Sequence, residues 1–157
     1  MGKIFEAISN FFQADGWPIH QIGTELAYSM TFQGENGKWT CIAQAVEEKE
    51  VFIFYSILPV NTPENKHLQM TELITRANYG LLIGNFEMSF ADGDTRLKTS
   101  MNTEGVSALE TPIQKLVYMN VLTMDKYLPA MMKVIYTDVL AAQAIAQVEE
   151  CLELVML

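Results

Sequence analysis

The chain has 157 residues, 50% of them hydrophobic and 18% charged, with a net charge of −9. Such a length suits one domain with a sizeable core, and so much apolar side chain excludes a disordered chain. The acid excess argues against nucleic-acid phosphates and anionic lipid as partners, and no apolar run reaches the roughly 18 residues of a membrane span.

The start, Met-Gly-Lys-Ile-Phe-Glu, lacks a signal peptide's long apolar region, so a reducing cytoplasm is the expected location. Two cysteines, Cys41 and Cys151, cannot build a disulfide framework. Ile4, Phe5, Ile8, Phe11 and Phe12 fall on one helical stripe, which Asp15-Gly16 and Pro18 bring to an end.

Strands are expected next. Leu26, Tyr28, Met30 and Phe32 alternate with Ala27, Ser29 and Thr31. Asn36-Gly37 is a strong signal for a two-residue hairpin turn, which would set Glu35 opposite Lys38, Phe32 opposite Cys41, Met30 opposite Ala43 and Tyr28 opposite Ala45. Glu47-Glu48-Lys49-Glu50 reads as a solvated turn. Val51 to Leu58 then runs apolar on both faces: Phe52 and Phe54 join the face of Tyr28 and Met30, while Ile42, Val46, Val51, Ile53, Tyr55 and Ile57 make the other. A sheet with one wet side does not look like that.

Thr62-Pro63 reads as the cap and first residue of a second helix, on Met70, Leu73, Ile74 and Ala77 to about Asn78, with Gly80 closing it. A second meander follows. Phe86, Met88 and Phe90 alternate, Asp92-Gly93 turns, and the register puts Met88 opposite Leu97 and Glu87 opposite Lys98. Residues 103–110 read as a loop, and Thr111-Pro112 as the start of a third helix. Pro129 either kinks that helix or begins a new one, and nothing breaks the chain from Ala130 to about Glu150. The element order is αβββαββα with an extended C-terminal helix: an α+β domain, an antiparallel sheet packed by helices, spanning 1–157.

The stretch Asn78-Tyr79-Gly80, a spacer, then Gly84-Asn85-Phe86-Glu87 resembles the YbjN family, which is similar in turn to the class I type III secretion chaperones. The resemblance covers residues 3 to about 140 and leaves the apolar stretch Ala141–Leu157 as an extra. It implies a type III chaperone-like fold and a non-enzymatic, homodimeric interaction protein, a sensory or stress regulator without settled chemistry.

No catalytic, cofactor or metal signature opposes that reading. His20 and His67 lack a second ligand at metal spacing and read as surface histidines. Cys41 points to the core, and Cys151 sits among Glu149, Glu150 and Glu153, which disfavour its thiolate. Gly80 and Gly84 fit neither a dinucleotide nor a phosphate loop, and Asp92-Gly93-Asp94 lacks the ligand ladder of a calcium loop. The ten methionines fill the core or line an adaptable groove, with Met131-Met132 as the groove candidate.

The expected work is binding of a client polypeptide through apolar surfaces, with a small-molecule sensor holding a pocket between sheet and helices as the alternative. The Ile42–Ile57 face needs a cover. Leu128, Met132, Ile135, Val139, Ala142 and Ala146 recur as a coiled-coil-like seam, and Val134, Ala141, Ile145, Val148, Leu152 and Val155 make a second stripe. A twofold homodimer is expected through the sheet face, the C-terminal helix, or both, burying on the order of 1,200–2,000 Å². The competing expectation is a monomer whose C-terminal helix folds back over its own sheet.

Overall fold

The computed structural model describes the backbone of residues 2–155 and the side chains of residues 2–150. The expectations for Met1, Cys151, Leu152, Glu153, Val155 and Met156 lie outside the described residues. Helix α1 is Lys3–Ala14. Strands β1 (His20–Gln21), β2 (Ala27–Gln33), β3 (Lys38–Val46) and β4 (Val51–Ile57) follow, then α2 (His67–Gly80), β5 (Asn85–Met88), β6 (Thr95–Asn102), α3 (Glu110–Tyr136) and α4 (Ala141–Val155). The strands form one antiparallel sheet in the order β1-β2-β3-β4-β6-β5. Two-residue β1, too short for a periodicity signal, is the strand that the sequence does not announce.

Both hairpins differ from expectation by two residues. Met30 faces Cys41, Phe32 faces Trp39 and Tyr28 faces Ala43; Phe86 faces Leu97 and Glu87 faces Arg96. The first loop is four residues, closed by Gly34 N–H to Gly37 O at 2.8 Å. A two-residue type I′ turn needs positive φ at Asn36, and Glu50 is the non-glycine residue with positive φ among those described. In the second, Ser89 N–H binds Asp94 O and Gly93 N–H binds Ser89 O, which leaves Phe90 outside the strand and exposed. Because side chains alternate with period two, a slip of two keeps every residue on its expected face.

The inward face is the core. Cys41, Ala43, Phe52, Phe54 and Leu97 are buried against Phe5, Ile8 and Phe12 of α1 and Ile113, Val117, Val121 and Met124 of α3. Phe5 stacks on Tyr28 with centroids 4.8 Å apart. Asn120 reaches from α3 to the sheet, its amide donating to Phe54 O and Leu97 O.

Helix boundaries are where local signals mislead. Thr62 does not cap: its hydroxyl is buried 3.0 Å from that of Thr95, and a 3₁₀ turn at Glu64–Lys66 precedes α2. Gly80 ends α2 without positive φ. Thr111 lies inside the first turn of α3, which starts after Leu109. Glu47 does not merely face solvent; its carboxylate accepts the N–H groups of Ile4 (3.3 Å) and Phe5 (2.8 Å) at the start of α1.

Helix α3 passes unbroken through Pro129, and the break comes later, at residues 137–140. Thr137 is extended, and its hydroxyl accepts from Val139 N–H at 3.2 Å, a local bond that competes with the helix. Gln69 Oε1 accepts the N–H of Ala141 at 3.0 Å and fixes where α4 restarts. Helix α4 therefore folds back on α2 and α3 as an outer layer, not over the bare face of the sheet.

A candidate interaction surface

Strand alternation decides what the outward face carries. Its cross-strand rows are Thr40–Ile57–Arg96–Glu87, Ile42–Tyr55–Lys98–Asn85, Gln44–Ile53–Ser100 and Val46–Val51–Asn102. Ile42, Val46, Val51, Ile53, Tyr55 and Ile57 thus form a two-strand apolar strip along β3 and β4. All six are half-buried, screened only by one another and their neighbours, because the described helices pack on the other face.

A charged margin borders the strip on β6 and β5. The Arg96 guanidinium sits 4.2 Å from the centroid of the Tyr55 ring and 2.6 Å from Glu87, which Lys98 also meets at 3.0 Å. Burial pushes the Glu87 carboxyl up, but hydrogen bonds and charge from Lys98 and Arg96 outweigh it and hold it below the usual carboxylate value.

The helical candidates fare differently. Ile135 and Ile145 are buried in the chain's own core, and Met132 and Val139 are half-buried against it. That is a correction for Ile135 and Ile145, which the chain's own packing covers. Met131 and Met132 both pack, since α3 lies between the sheet and α4. Of the motif residues, Asn78 and Phe86 come together. Phe86 N–H donates to Asn78 Oδ1 at 2.7 Å and Asn78 Nδ2 donates to Phe86 O at 3.0 Å. Gly84 has φ of 81° and lies against β6, whereas Tyr79 and Gly80 project into solvent.

Sequence reasoning missed an exposed apolar corner. Leu68, Tyr136 and Leu140 are 82%, 68% and 55% exposed. Lys66 Nζ on Thr137 O (2.8 Å) and Gln69 on Ala141 bring their segments together. The available signal was negative: Leu68 falls off the Met70, Leu73, Ile74, Ala77 stripe.

Chemistry is sparse. Burial pushes the Cys41 thiol up to about 12, against weaker opposing hydrogen bonds from Ser56 and Trp39. His67 Nε2 lies 3.0 Å from Thr62 O, and His20 is exposed on β1. Among the described residues no group of three or more His, Cys, Asp or Glu is placed to hold a metal, and no helix is long and apolar enough to cross a membrane. Two depressions open to solvent at one end of the sheet. One, of about 420 Å³, lies by Thr40, Ile57 and Asn61; the other, of about 340 Å³, by Glu87, Asp92 and Arg96.

Residues 5–131 match the model of the YbjN family, described as "Putative bacterial sensory transduction regulator". The fold is similar to that of E. coli YbjN, "a putative transcription regulator", with a TM-score of 0.58 and 10% identity over 83% of this chain and 87% of that one. It is similar to a chain of the ExsC–ExsE complex, with a TM-score of 0.57 and 9% identity over 82% and 95%. A chain of the HopA1–SchA chaperone–effector complex gives a TM-score of 0.54 and 13% identity over 78% and 91%. Comparison with curated protein sequences finds no match. At such identities the likeness is one of fold, an α+β fold shared with a chain of a chaperone–effector complex, as the sequence resemblance implies.

Proposed function

The chain belongs to the YbjN family, and we propose that it works in the cytoplasm as a one-domain, non-enzymatic interaction module that binds polypeptides, a second copy of itself among them. The observation that carries this is the outward apolar strip, six side chains on one sheet face that no described helix covers. Contiguous apolar patches on a protein surface mark interaction sites, and a twofold pairing would cover both strips at once. The corner of Leu68, Tyr136 and Leu140 stays free in such a pair and offers a client its apolar contact. Two of the structures of like fold are complexes, one of them of a chaperone with an effector.

A sensor with its ligand between sheet and helices has less support, because Phe54, Leu97, Ile113 and Val117 fill that layer. Light scattering tests the pairing. The parent should run at about twice 17.7 kDa, and Ile53→Asp should halve that mass with its circular dichroism unchanged. A parent at 17.7 kDa overturns the homodimer; a variant that stays paired removes the strip as its seam. For the client, capture from native lysate should retain a polypeptide on the parent that the Leu68→Ser, Leu140→Ser variant loses.

A further inference from the structure

Strand β5 is an edge of the sheet. On such a strand every second residue turns its backbone N–H and C=O away from the neighbouring strand, and unpaired groups of this kind are a template for another chain. At Phe86 both groups are taken by one side chain, the amide of Asn78. Asn85 Nδ2 lies farther from the same carbonyl, at 3.4 Å. The Asn78 amide offers one acceptor and one donor, in the sense that a strand residue would offer them.

The alternative partner with that complement is Phe86 itself. In an antiparallel pair, a residue opposite its own copy exchanges N–H···O bonds in both directions, which is a twofold arrangement. We propose that Asn78 is a latch that keeps the β5 edge from pairing with β5 of a second copy. The latch is lightly anchored. Beyond Asn78 the last turn of α2 holds Tyr79, 97% exposed, and exposed Gly80, and Leu81 leaves in extended conformation. Ala77, one residue before, is fully buried and marks where the firm part of α2 ends. Lifting residues 78–80 therefore uncovers little side-chain surface; it gives up the last helical turn, with the Leu81 N–H to Asn78 O bond, and the two Asn78 side-chain bonds, and an incoming strand replaces the latter two.

The experiment compares the mass of full-length variants with that of the parent, whatever the parent's own state, by light scattering at on the order of 100 µM. Asn78→Ala should run at twice the mass of a monomeric parent, or at twice or more that of a face-paired parent, which carries two β5 edges, with intermolecular antiparallel-sheet absorbance in the infrared. Asn78→Asp keeps an acceptor for Phe86 N–H but no donor for Phe86 O, and should shift the same way to a smaller extent; it serves if Asn78→Ala does not fold. Adding Met88→Pro, which removes the next edge donor, should return either variant to the parent mass. Both latch variants at the parent mass would show that Asn78 is only a structural tie. Association that survives Met88→Pro would place it on another surface. Either result overturns the proposal and leaves the sheet-face reading intact, since that face is tested through Ile53.

Discussion

Asn36 supplies to α3 the hydrogen bond that Pro129 withholds. In a regular helix the N–H of residue 129 would bind the carbonyl of Asp125, four residues earlier, and proline has no N–H. The freed Asp125 carbonyl instead accepts Asn36 Nδ2 at 3.0 Å, while the Asp125 carboxylate accepts the backbone N–H groups of Asn36 (2.8 Å) and Glu35 (3.0 Å). One helical residue thereby organises the β2–β3 loop, and the loop lets the helix run through its proline.

This exchange predicts a measurable coupling. Asn36→Ala should cost about 1–2 kcal/mol in urea unfolding, by leaving a partly buried carbonyl unpaired. In a Pro129→Ala background the helix supplies its own donor, and the same change should cost less by about 1 kcal/mol. Equal costs in both backgrounds would mean that the Asn36 side chain carries no such burden.

Two glycines of one motif should behave oppositely. A Cβ at Gly84, where φ is 81°, would lie 2.8 Å from Thr99 Cγ2 and 2.9 Å from Lys98 O. Gly84→Val is expected to cost about 1–3 kcal/mol. Gly80 has open space around it and helical backbone, so Gly80→Ala should be neutral or stabilise by up to about 1 kcal/mol. Thermal midpoints of the two variants check the contrast.

Glu50 is held at φ 52° because its carbonyl is pinned by Thr103, through N–H at 2.7 Å and hydroxyl at 3.0 Å. A left-handed conformation strains any residue with a Cβ. Glu50→Gly should therefore stabilise by about 0.5–1 kcal/mol, a rise of roughly 2–4 °C in the thermal midpoint per kcal/mol. A fall in the midpoint would contradict the strain.

The buried thiol sets a prediction for alkaline pH. Cys41 goes from 9.0 to about 12 on folding, so between those values the folded chain keeps a proton that the unfolded chain has lost. Stability contributed by the neutral thiol is fully present below pH 9 and drains away as pH rises toward 12. Tyr118, through its bond to Asp15 and then burial, and Tyr127, through burial and then Glu149, are raised too and add to the slope. Cys41→Ala should flatten the fall of the thermal midpoint above pH 9 without removing it. An unchanged slope would show that the thiol titrates normally in the fold.

The sheet was legible in the sequence because alternation survives a slip of two. Phe52, Phe54 and Met30 point where their spacing says, although Met30 meets Cys41 and not Ala43. What could not be read was anything supplied from far along the chain. Asn36-Gly37 has the local chemistry of a two-residue turn, and Asp125 overrides it. Thr62 has that of a cap, and Thr95 draws its hydroxyl inward. The apolar strip followed from its residues alone, yet Ile145 on α4 reads as equally free, and only the packing of α4 on α2 and α3 buries it. Asn78 was legible as part of a family-like stretch but not as a partner of Phe86, since that role depends on Phe86 lying at a sheet edge.

The carboxylate that covers the first N–H groups of α1 belongs to Glu47, 42 and 43 residues downstream of the two groups it binds. During synthesis α1 therefore leaves the ribosome well before its own terminus can be completed, and before β3 and β4, whose connecting turn carries Glu47, exist to receive it. An isolated helix of 12 residues is marginal in water. The segment Lys3–Ala14 is accordingly expected to hold little helix, with Ile4, Phe5, Ile8, Phe11 and Phe12 uncovered, until the central hairpin has emerged. In the cell, that interval is when the nascent chain is most open to holding factors and to proteolysis.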